Sequence, residues 1–302
     1  MNISICLATY RRPDRLRLLL DDLVQQRLVP HQVVVIDNDS GRSGSAPVEL
    51  ALAAGAPFHL LYAVEPRKNV AHARNLGIEL ATGDWLAFID DDERAPVDWL
   101  ERLSNAAVAY RADAVQGPVE PVLPDGVAGW LRRGRFYDWP RMASGTVVPR
   151  NRLRLGNLLL KRSSLDPGGH HFDPAYGQTG GEDGDWLSRL AQAGTRIVWC
   201  DEASVLEPVE PSRLSLRWLL MRSLRGGQDF ARHALAGRYG PLNATSRILF
   251  FCRALLQCLV ALALAVLSLP FGLHRSAHWL SKASANLGKL SAFAGLHYRE
   301  YA

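Results

Sequence analysis

Cysteine is scarce in this sequence. The four residues, Cys6, Cys200, Cys252 and Cys258, are scattered, and no pair has the spacing of a zinc site or a thioredoxin-like motif. A disulfide scaffold and thiol chemistry are thereby set aside, and the cysteines are expected to be reduced and structural. A secretory signal is also lacking. MNISICLATY has no basic stretch leading into a long apolar run and reads as a first strand, so the catalytic part is expected on the cytoplasmic side. No internal repeat is visible. The cleanest apolar run, Leu259 to Leu269, is shorter than the roughly 20 residues needed to cross a bilayer. A strong charge bias is absent too: 35 basic against 30 acidic residues leave +5, a weak lean towards nucleotides, lipid headgroups or nucleic acid. With 48% hydrophobic and 22% charged residues over 302 positions, the chain is folded rather than disordered, as one large domain or two small ones.

What is present alternates between strand and helix signals. Ile3 to Ala8 is a short β-rich apolar run, followed by RRPDRLRLLLDDL with leucines at helical spacing and Pro13 near the start. Val33 to Ile36 predicts a second strand, ending in the turn-forming DNDSGRSG, and His59 to Val64 a third. Val70 to Ala81 has helical periodicity closed by Gly83, and Trp85 to Ile89 predicts a fourth strand. Pro96 opens a predicted helix over PVDWLERLSNAAVAY, and Ala114 to Val119 predicts a fifth strand. This spacing over the first 120 residues predicts an α/β fold with a mostly parallel sheet and helices on both faces. Residues 121–154, rich in Pro, Gly, Arg and Trp, resist division into elements. Gly156 to Lys161 predicts a strand, Gly177 to Gly184 a glycine-rich acidic loop, and Asp185 to Ala193 a helix, with strands around Ile197 and Val205.

Two acidic clusters stand out in this layout. FIDDDERAP delivers Asp90, Asp91 and Asp92 beyond the fourth strand, and DNDS follows the second. Ligands of such sheets bind beyond the carboxyl ends of the strands, and carboxylates this crowded repel one another. A solvated turn explains one cluster easily and two at one sheet edge poorly. Paired carboxylates serve to hold a metal against phosphates, to hydrolyse glycosides, or to bind calcium in a loop. DDDERAPVDWLE lacks the central glycine and alternating ligands of a calcium loop, and a hydrolase does not account for the basic, apolar tail. A nucleotide–metal site fits best.

The composition changes near Ser246. RILFFCRALLQCLVALALAVLSLPFG is broken only by Arg253 and Gln257 and is flanked by Arg247, Arg253, Arg275 and Lys282. That pattern suits a helix lying in an anionic interface. The alternatives are a transmembrane helix over Phe250 to Leu269 and a buried core helix. HWLSKASANLGKLSAFAG reads as an amphipathic partner helix. Nucleic-acid binding is not expected, because the basic residues near the tail lie beside apolar runs without aromatic stacking platforms.

Taken in order, ATYRRPDRL, VVVIDNDS, AHARNLGIELATGDWLAFIDDDE and GGEDGDW resemble the family 2 glycosyltransferases of the GT-A fold. Within that family they are most similar to the bacterial glucosyltransferases of exopolysaccharide assembly, as in succinoglycan synthesis, which extend lipid-linked oligosaccharides. The similarity runs through most of the chain, including RLSLRWLLMRSLRGG and the late LGKL. It implies a GT-A catalytic domain over residues 1–240, with a nucleotide-binding half (1–120) and an acceptor-side half (121–240), then a membrane-associated helical segment over 241–302. It further implies inverting transfer of one sugar, glucose favoured, from a UDP-sugar with Mg²⁺ or Mn²⁺ to a lipid-linked saccharide. The enzyme would sit at the cytoplasmic face of the bacterial inner membrane, as a peripheral, monotopic or single-span protein, in contact with other polysaccharide-assembly enzymes.

Carried over residue by residue, the resemblance places Thr9 in the nucleotide pocket, Asp37 against the uracil ring, and Arg74 and Asp91 near the nucleotide. Asp90 and Asp92 become the DxD carboxylates that share the metal, with Asp90 also towards the ribose. Asp183 corresponds to the general base, and Glu182 supports the site or the acceptor. Arg217 and Trp218 look like a reduced QxxRW motif without its glutamine, which favours single transfer over polymerisation. Glu207 is followed by Pro208 where relatives often carry Glu-His, which removes a metal ligand or phosphate contact. The rival from another class is a membrane-associated scaffold or binding protein that keeps the fold without catalysis. Intact DNDS, DDD and GGED argue against such decay.

Overall fold

The computed structural model describes residues 1–166, 168–296 and 298. By packing, the described residues form two compact units: Met1–Glu120 with Trp139–Glu207, and Pro121–Asp138 with the described residues from Pro208 to 298. The last residues of the expected membrane segment, 299–302, lie outside the described residues.

The first unit begins with β1 (Ile3–Thr9), α1 (Pro13–Val24), β2 (Gln32–Asp37), α2 (Ser45–Ala53), β3 (His59–Val64) and α3 (Val70–Leu80). It continues through β4 (Trp85–Phe88), α4 (Trp99–Ala109) and β5 (Ala114–Gln116). After β6 (Val119–Val122) and the short α5 (Gly129–Gly134), it resumes with β7 (Leu158–Lys161), α6 (Glu182–Gln192), β8 (Ile197–Trp199) and β9 (Val205–Pro208). Seven strands form one sheet in the order β3-β2-β1-β4-β7-β5-β8, parallel except for β7, which runs against both neighbours. Strand alternation explains the two-sided core. Ile3, Ile5 and Leu7 meet Leu16, Leu19 and Leu23 of α1 and Trp99 and Leu103 of α4, whereas Cys6 and Phe88 meet Ala73 and Ile78 of α3 and Trp186 of α6.

Several boundaries depart from the sequence reading, each for a local reason. The predicted fifth strand divides at Gly117, where a Cβ would lie 2.2 Å from the Ala203 carbonyl oxygen. Beyond it β6 leaves the sheet to pair with β9. Pro96 does not open α4; its carbonyl accepts from Trp99 N in the preceding turn, at 2.9 Å. α2 carried no periodic signal, because only Pro47 and Val48 of its nine residues are buried. α6 starts at Glu182 rather than Asp185, so the two acids of GGED belong to its first turn. The parallel register brings the ends of β1, β2 and β4 to one edge, with Thr9 opposite Asp37 and Cys6 opposite Phe88.

The second unit holds α5, α7 (Leu216–Leu235), α8 (Ala244–Leu267) and α9 (Leu273–Phe293). α7 and α9 touch backbone to backbone: a Cβ on Gly227 would lie 1.9 Å from the Ala285 carbonyl oxygen, and one on Gly288 would lie 2.0 Å from that of Leu224. A Cβ on Gly226, one residue earlier, would meet nothing within 4 Å beyond its own helix among the described residues. The two glycines therefore predict opposite outcomes for one substitution. Gly226→Ala should raise the thermal midpoint through helix propensity, worth about 1 kcal/mol. Gly227→Ala should lower it, since overpacking costs typically about 1–3 kcal/mol. Equal shifts in thermal unfolding would show that the helices do not pack this closely.

Candidate active site

The site is built on the edge where β1, β2 and β4 end. Thr9 Oγ1 donates to Asp91 Oδ2 at 2.8 Å, and Arg12 Nη1 donates to Asp91 Oδ1 at 3.0 Å and to Asp92 Oδ2 at 3.1 Å. Asp91 is buried, and that burial pushes its carboxyl up to about 6 against the pull of Arg12, with Asp92 adding to the rise. Asp90 is raised as well, first by desolvation and then by Asp92 and Asp183, while Arg74 opposes. The turn after β4 is closed by Asp90 N donating to Glu93 Oε2 and Glu93 N donating to the Asp90 carbonyl oxygen, each at 3.1 Å. Gly156 lets the chain before β7 pass close by, since a Cβ there would lie 2.8 Å from Glu93 Oε1 and 3.0 Å from Asp90 Oδ2.

Asp37 is fully buried at the end of β2. Its Oδ1 accepts from Asp39 N at 2.9 Å, and its Oδ2 from Gly44 N at 2.6 Å and the Tyr62 hydroxyl at 2.8 Å. In this structure the Asp37 carboxylate shapes the 38–44 loop. Asn38 ties that loop to the next one by donating to the Glu65 and Arg67 carbonyl oxygens and accepting from Asn69 N.

Arg74, on α3, joins the other two acidic groups. It is 14% exposed, donates to Asp90 Oδ1 at 3.1 Å through Nη2, and pairs with Glu182 Oε1 through Nη1. Glu182 is buried and its second oxygen, Oε2, has no hydrogen-bond partner among the described residues. Burial pushes its carboxyl up to about 7, with Arg74 opposing and Asp183 and Asp90 adding. Asp183 accepts from Gly184 N at 2.7 Å and from Leu155 N at 3.3 Å. Gly180 and Gly181 reach α6 with φ of 85° and 91°, a conformation that favours glycine. Asn69 caps α3 by accepting from Ala71 N and donates to the Pro174 carbonyl oxygen, which anchors the 174–181 loop near Arg74.

The expected site residues of the first unit thus lie at one edge: Thr9, Asp91 and Asp92 gather with Arg12 on one side, Asp90, Arg74, Glu182 and Asp183 on the other, and Asp37 sits at the end of β2, engaged with its own loop. Arg12, Asn69, Tyr62 and Glu93 were not singled out from sequence. Only Arg12 had a readable signal, because it follows a strand whose parallel neighbour ends in the aspartates. Among the described residues no group of three or more His, Cys, Asp or Glu side chains forms a metal cage. Asp90 and Asp92 could nevertheless hold a hard divalent cation that takes its remaining oxygens from a substrate, since burial raises Asp90 and the neighbouring Asp92 carboxylate adds to that rise.

Comparison with known proteins identifies the family. The family model described as Glycosyl transferase family 2 matches residues 4–168. The succinoglycan biosynthesis protein ExoM of Rhizobium meliloti is 38% identical over 272 residues, covering 83% of this chain and 85% of the relative. Glycosyltransferase AglE of Haloferax volcanii is 26% identical over 69% of this chain and 67% of its own. Among solved structures, a mannosyltransferase of Pyrobaculum calidifontis in complex with GDP-Man and Mn²⁺ has a TM-score of 0.60 at 17% identity, covering 99% of this chain and 77% of that one. S. aureus TarS 1-349 in complex with UDP has a TM-score of 0.57 at 16% identity, covering 99% and 93%. The mostly parallel sheet with an antiparallel insertion is the GT-A fold of these transferases, and the chain belongs to glycosyl transferase family 2.

Proposed function

We propose that this protein is an inverting glycosyltransferase of exopolysaccharide assembly that moves one sugar, glucose favoured, from a UDP-sugar to a lipid-linked saccharide. The observation that carries the reading is the Arg74 bridge, which holds a DxD carboxylate, Asp90, beside the acids that open α6. The 38% identity to a succinoglycan biosynthesis protein supports the pathway class, and the UDP and GDP-Man complexes of structural neighbours support a nucleotide donor.

On this reading Thr9, Asp37 and Asp91 shape the nucleotide pocket, Asp37 by ordering its loop and Asp91 through Thr9 and Arg12. Asp90 and Asp92 would hold Mg²⁺ or Mn²⁺, which supplies charge neutralisation for the departing diphosphate. Asp183 takes the proton of the acceptor hydroxyl while that oxygen bonds to the anomeric carbon and the bond to UDP breaks. Glu182 and Arg74 hold Asp183 and Asp90 in register. Residues 1–240 form the catalytic part and 241–302 the membrane-associated part, at the cytoplasmic face of the inner membrane where a polyprenyl-linked acceptor resides.

Calorimetry with UDP, with and without Mg²⁺ or Mn²⁺, tests the donor site. Metal should tighten UDP binding to the wild type at least about tenfold, the scale of one charge-assisted contact. Asp92→Asn should abolish that gain. UDP affinity that ignores both metal and Asp92→Asn would sink the donor assignment. A donor and acceptor screen with membrane lipid extract then identifies the sugars, and no transfer from any donor would favour the scaffold.

A further inference from the structure

We infer that α8 lies along the membrane surface in a three-helix stack, its outer face in the lipid of an anionic bilayer, and does not cross it. The inference rests on the membrane-associated part of the reading above. At 24 residues α8 is about 36 Å long, so length alone would allow a span of the roughly 30 Å hydrocarbon core. Packing decides otherwise.

The helix is built inside out for a soluble protein. Its inward stripe is small, Ala254, Cys258, Ala261 and Ala265, while Ile248, Leu249, Leu256, Leu259, Val266 and Leu267 are each more than half exposed, between 57% and 68%. Small residues inside and large apolar ones outside are the pattern of a helix packed in lipid. An exposed apolar face of this extent marks an interaction surface. On a helical wheel the exposed apolar residues, from Phe251 and Leu262 round to Val260, fill an arc of about 180°, with Arg253 and Gln257 beyond one margin.

α8 and α9 form an antiparallel hairpin that turns at Leu269–Phe271. Phe250 lies 5.7 Å from Phe293 near the open end, and Cys258 Sγ donates to the Ala283 carbonyl oxygen at 3.5 Å midway. α7 runs parallel to α9 on another side: Ser284 Oγ donates to the Leu220 carbonyl oxygen at 2.7 Å, and Gln228 Nε2 donates to Ser291 Oγ at 2.9 Å. All three axes therefore run together. Were α8 to stand across the bilayer, α7 would stand with it, carrying Arg217, Arg222, Arg225, Asp229 and Arg232 to hydrocarbon depth, which the bilayer strongly disfavours. Laid flat, α8 alone is immersed. α9 then forms the shore: Lys282 Nζ sits 4.6 Å over the Trp279 ring and Arg275 lies 5.9 Å over Phe271, cation–aromatic pairs suited to headgroup depth. Their positive charge selects an anionic surface.

The full chain, with Cys252→Ser and single nitroxides at Ile248, Leu256 and Leu267, is to be added to phosphatidylglycerol/phosphatidylethanolamine vesicles and read by oxygen and nickel accessibility. All three sites should report the same shallow depth, within one helix turn. Arg275→Gln/Lys282→Gln should weaken vesicle binding about tenfold or more, given the scale for basic residues near a charged surface. Leu256 at the midplane with Ile248 and Leu267 near opposite surfaces would overturn the flat arrangement in favour of a span. Spin–spin coupling between copies without lipid contact would overturn it in favour of a dimer. No vesicle binding at all would overturn it together with the membrane reading, and UDP calorimetry on the same samples would show whether the donor site stands independently.

Discussion

Asp183→Asn should lower the turnover of sugar transfer by about 10²–10⁴-fold, the range supplied by a positioned general base, and leave UDP affinity near the wild-type value. The substitution is discriminating because Asp183 also has a structural use. Its carboxylate meets Gly184 N at 2.7 Å and Leu155 N at 3.3 Å in the first turn of α6, where acids are favoured by the helix dipole. If that were its whole purpose, Asn would serve almost as well. The amide oxygen keeps the short bond to Gly184 N, and loss of the long one to Leu155 N costs about 1 kcal/mol or less. Asn cannot accept the acceptor's proton at neutral pH. A small change in thermal midpoint, a retained calorimetric UDP signal and a large loss of turnover would assign the base. Turnover close to wild type would exclude Asp183 from that role and leave it as part of the helix start.

The parallel half of the fold was legible because each strand there is a short apolar run that feeds its acidic residues to the same edge. Strand spacing alone therefore brought DNDS and the Asp90–Asp92 run to one edge, whereas Thr9 was placed only through the family resemblance. The region 121–154 was opaque for an equally physical reason: its elements are short, α5 having only six residues. β7 was legible as a strand, but its antiparallel entry between β4 and β5 is set by contacts far apart in sequence. The acids of GGED were legible as a motif but not as a helix start, since Gly181 in the left-handed region provides no side-chain cap to read. Partnerships across the site were beyond reach. That one guanidinium nitrogen of Arg12 serves both Asp91 and Asp92, or that Arg74 reaches Glu182 across 108 positions, follows only from the assembled sheet.

Arg74→Met should destabilise the protein strongly above neutral pH and only mildly near pH 5. Glu182 is 6% exposed on its side chain, its Oε2 has no partner among the described residues, and the Arg74 guanidinium holds Oε1. Burial already pushes the Glu182 carboxyl from 4.5 to about 7, with Arg74 opposing the rise. A carboxyl raised on folding binds more protons in the folded state than in the unfolded chain over that window. Stability is therefore greatest at low pH and falls as pH climbs through about 4.5 to 7, by a total on the order of 3 kcal/mol. Removing Arg74 takes away the one opposing charge, so ionisation is disfavoured further and the decline extends to higher pH. Breaking a buried pair in this way costs about 3–5 kcal/mol where the remaining partner must stay charged. Asp90, the other partner of Arg74, is 45% exposed and can fall back on water, so most of the effect belongs to Glu182. Denaturant unfolding at pH 5, 6, 7 and 8 should show a steeper loss with pH for Arg74→Met than for the wild type. Glu182→Gln should flatten the profile, and the double variant should recover most of the stability lost at pH 8. If Arg74→Met were equally destabilised at every pH, the guanidinium would act by packing, through its position 5.8 Å from the Phe172 ring, and the charge bridge between the DxD and α6 would not be what holds the two halves of the site together.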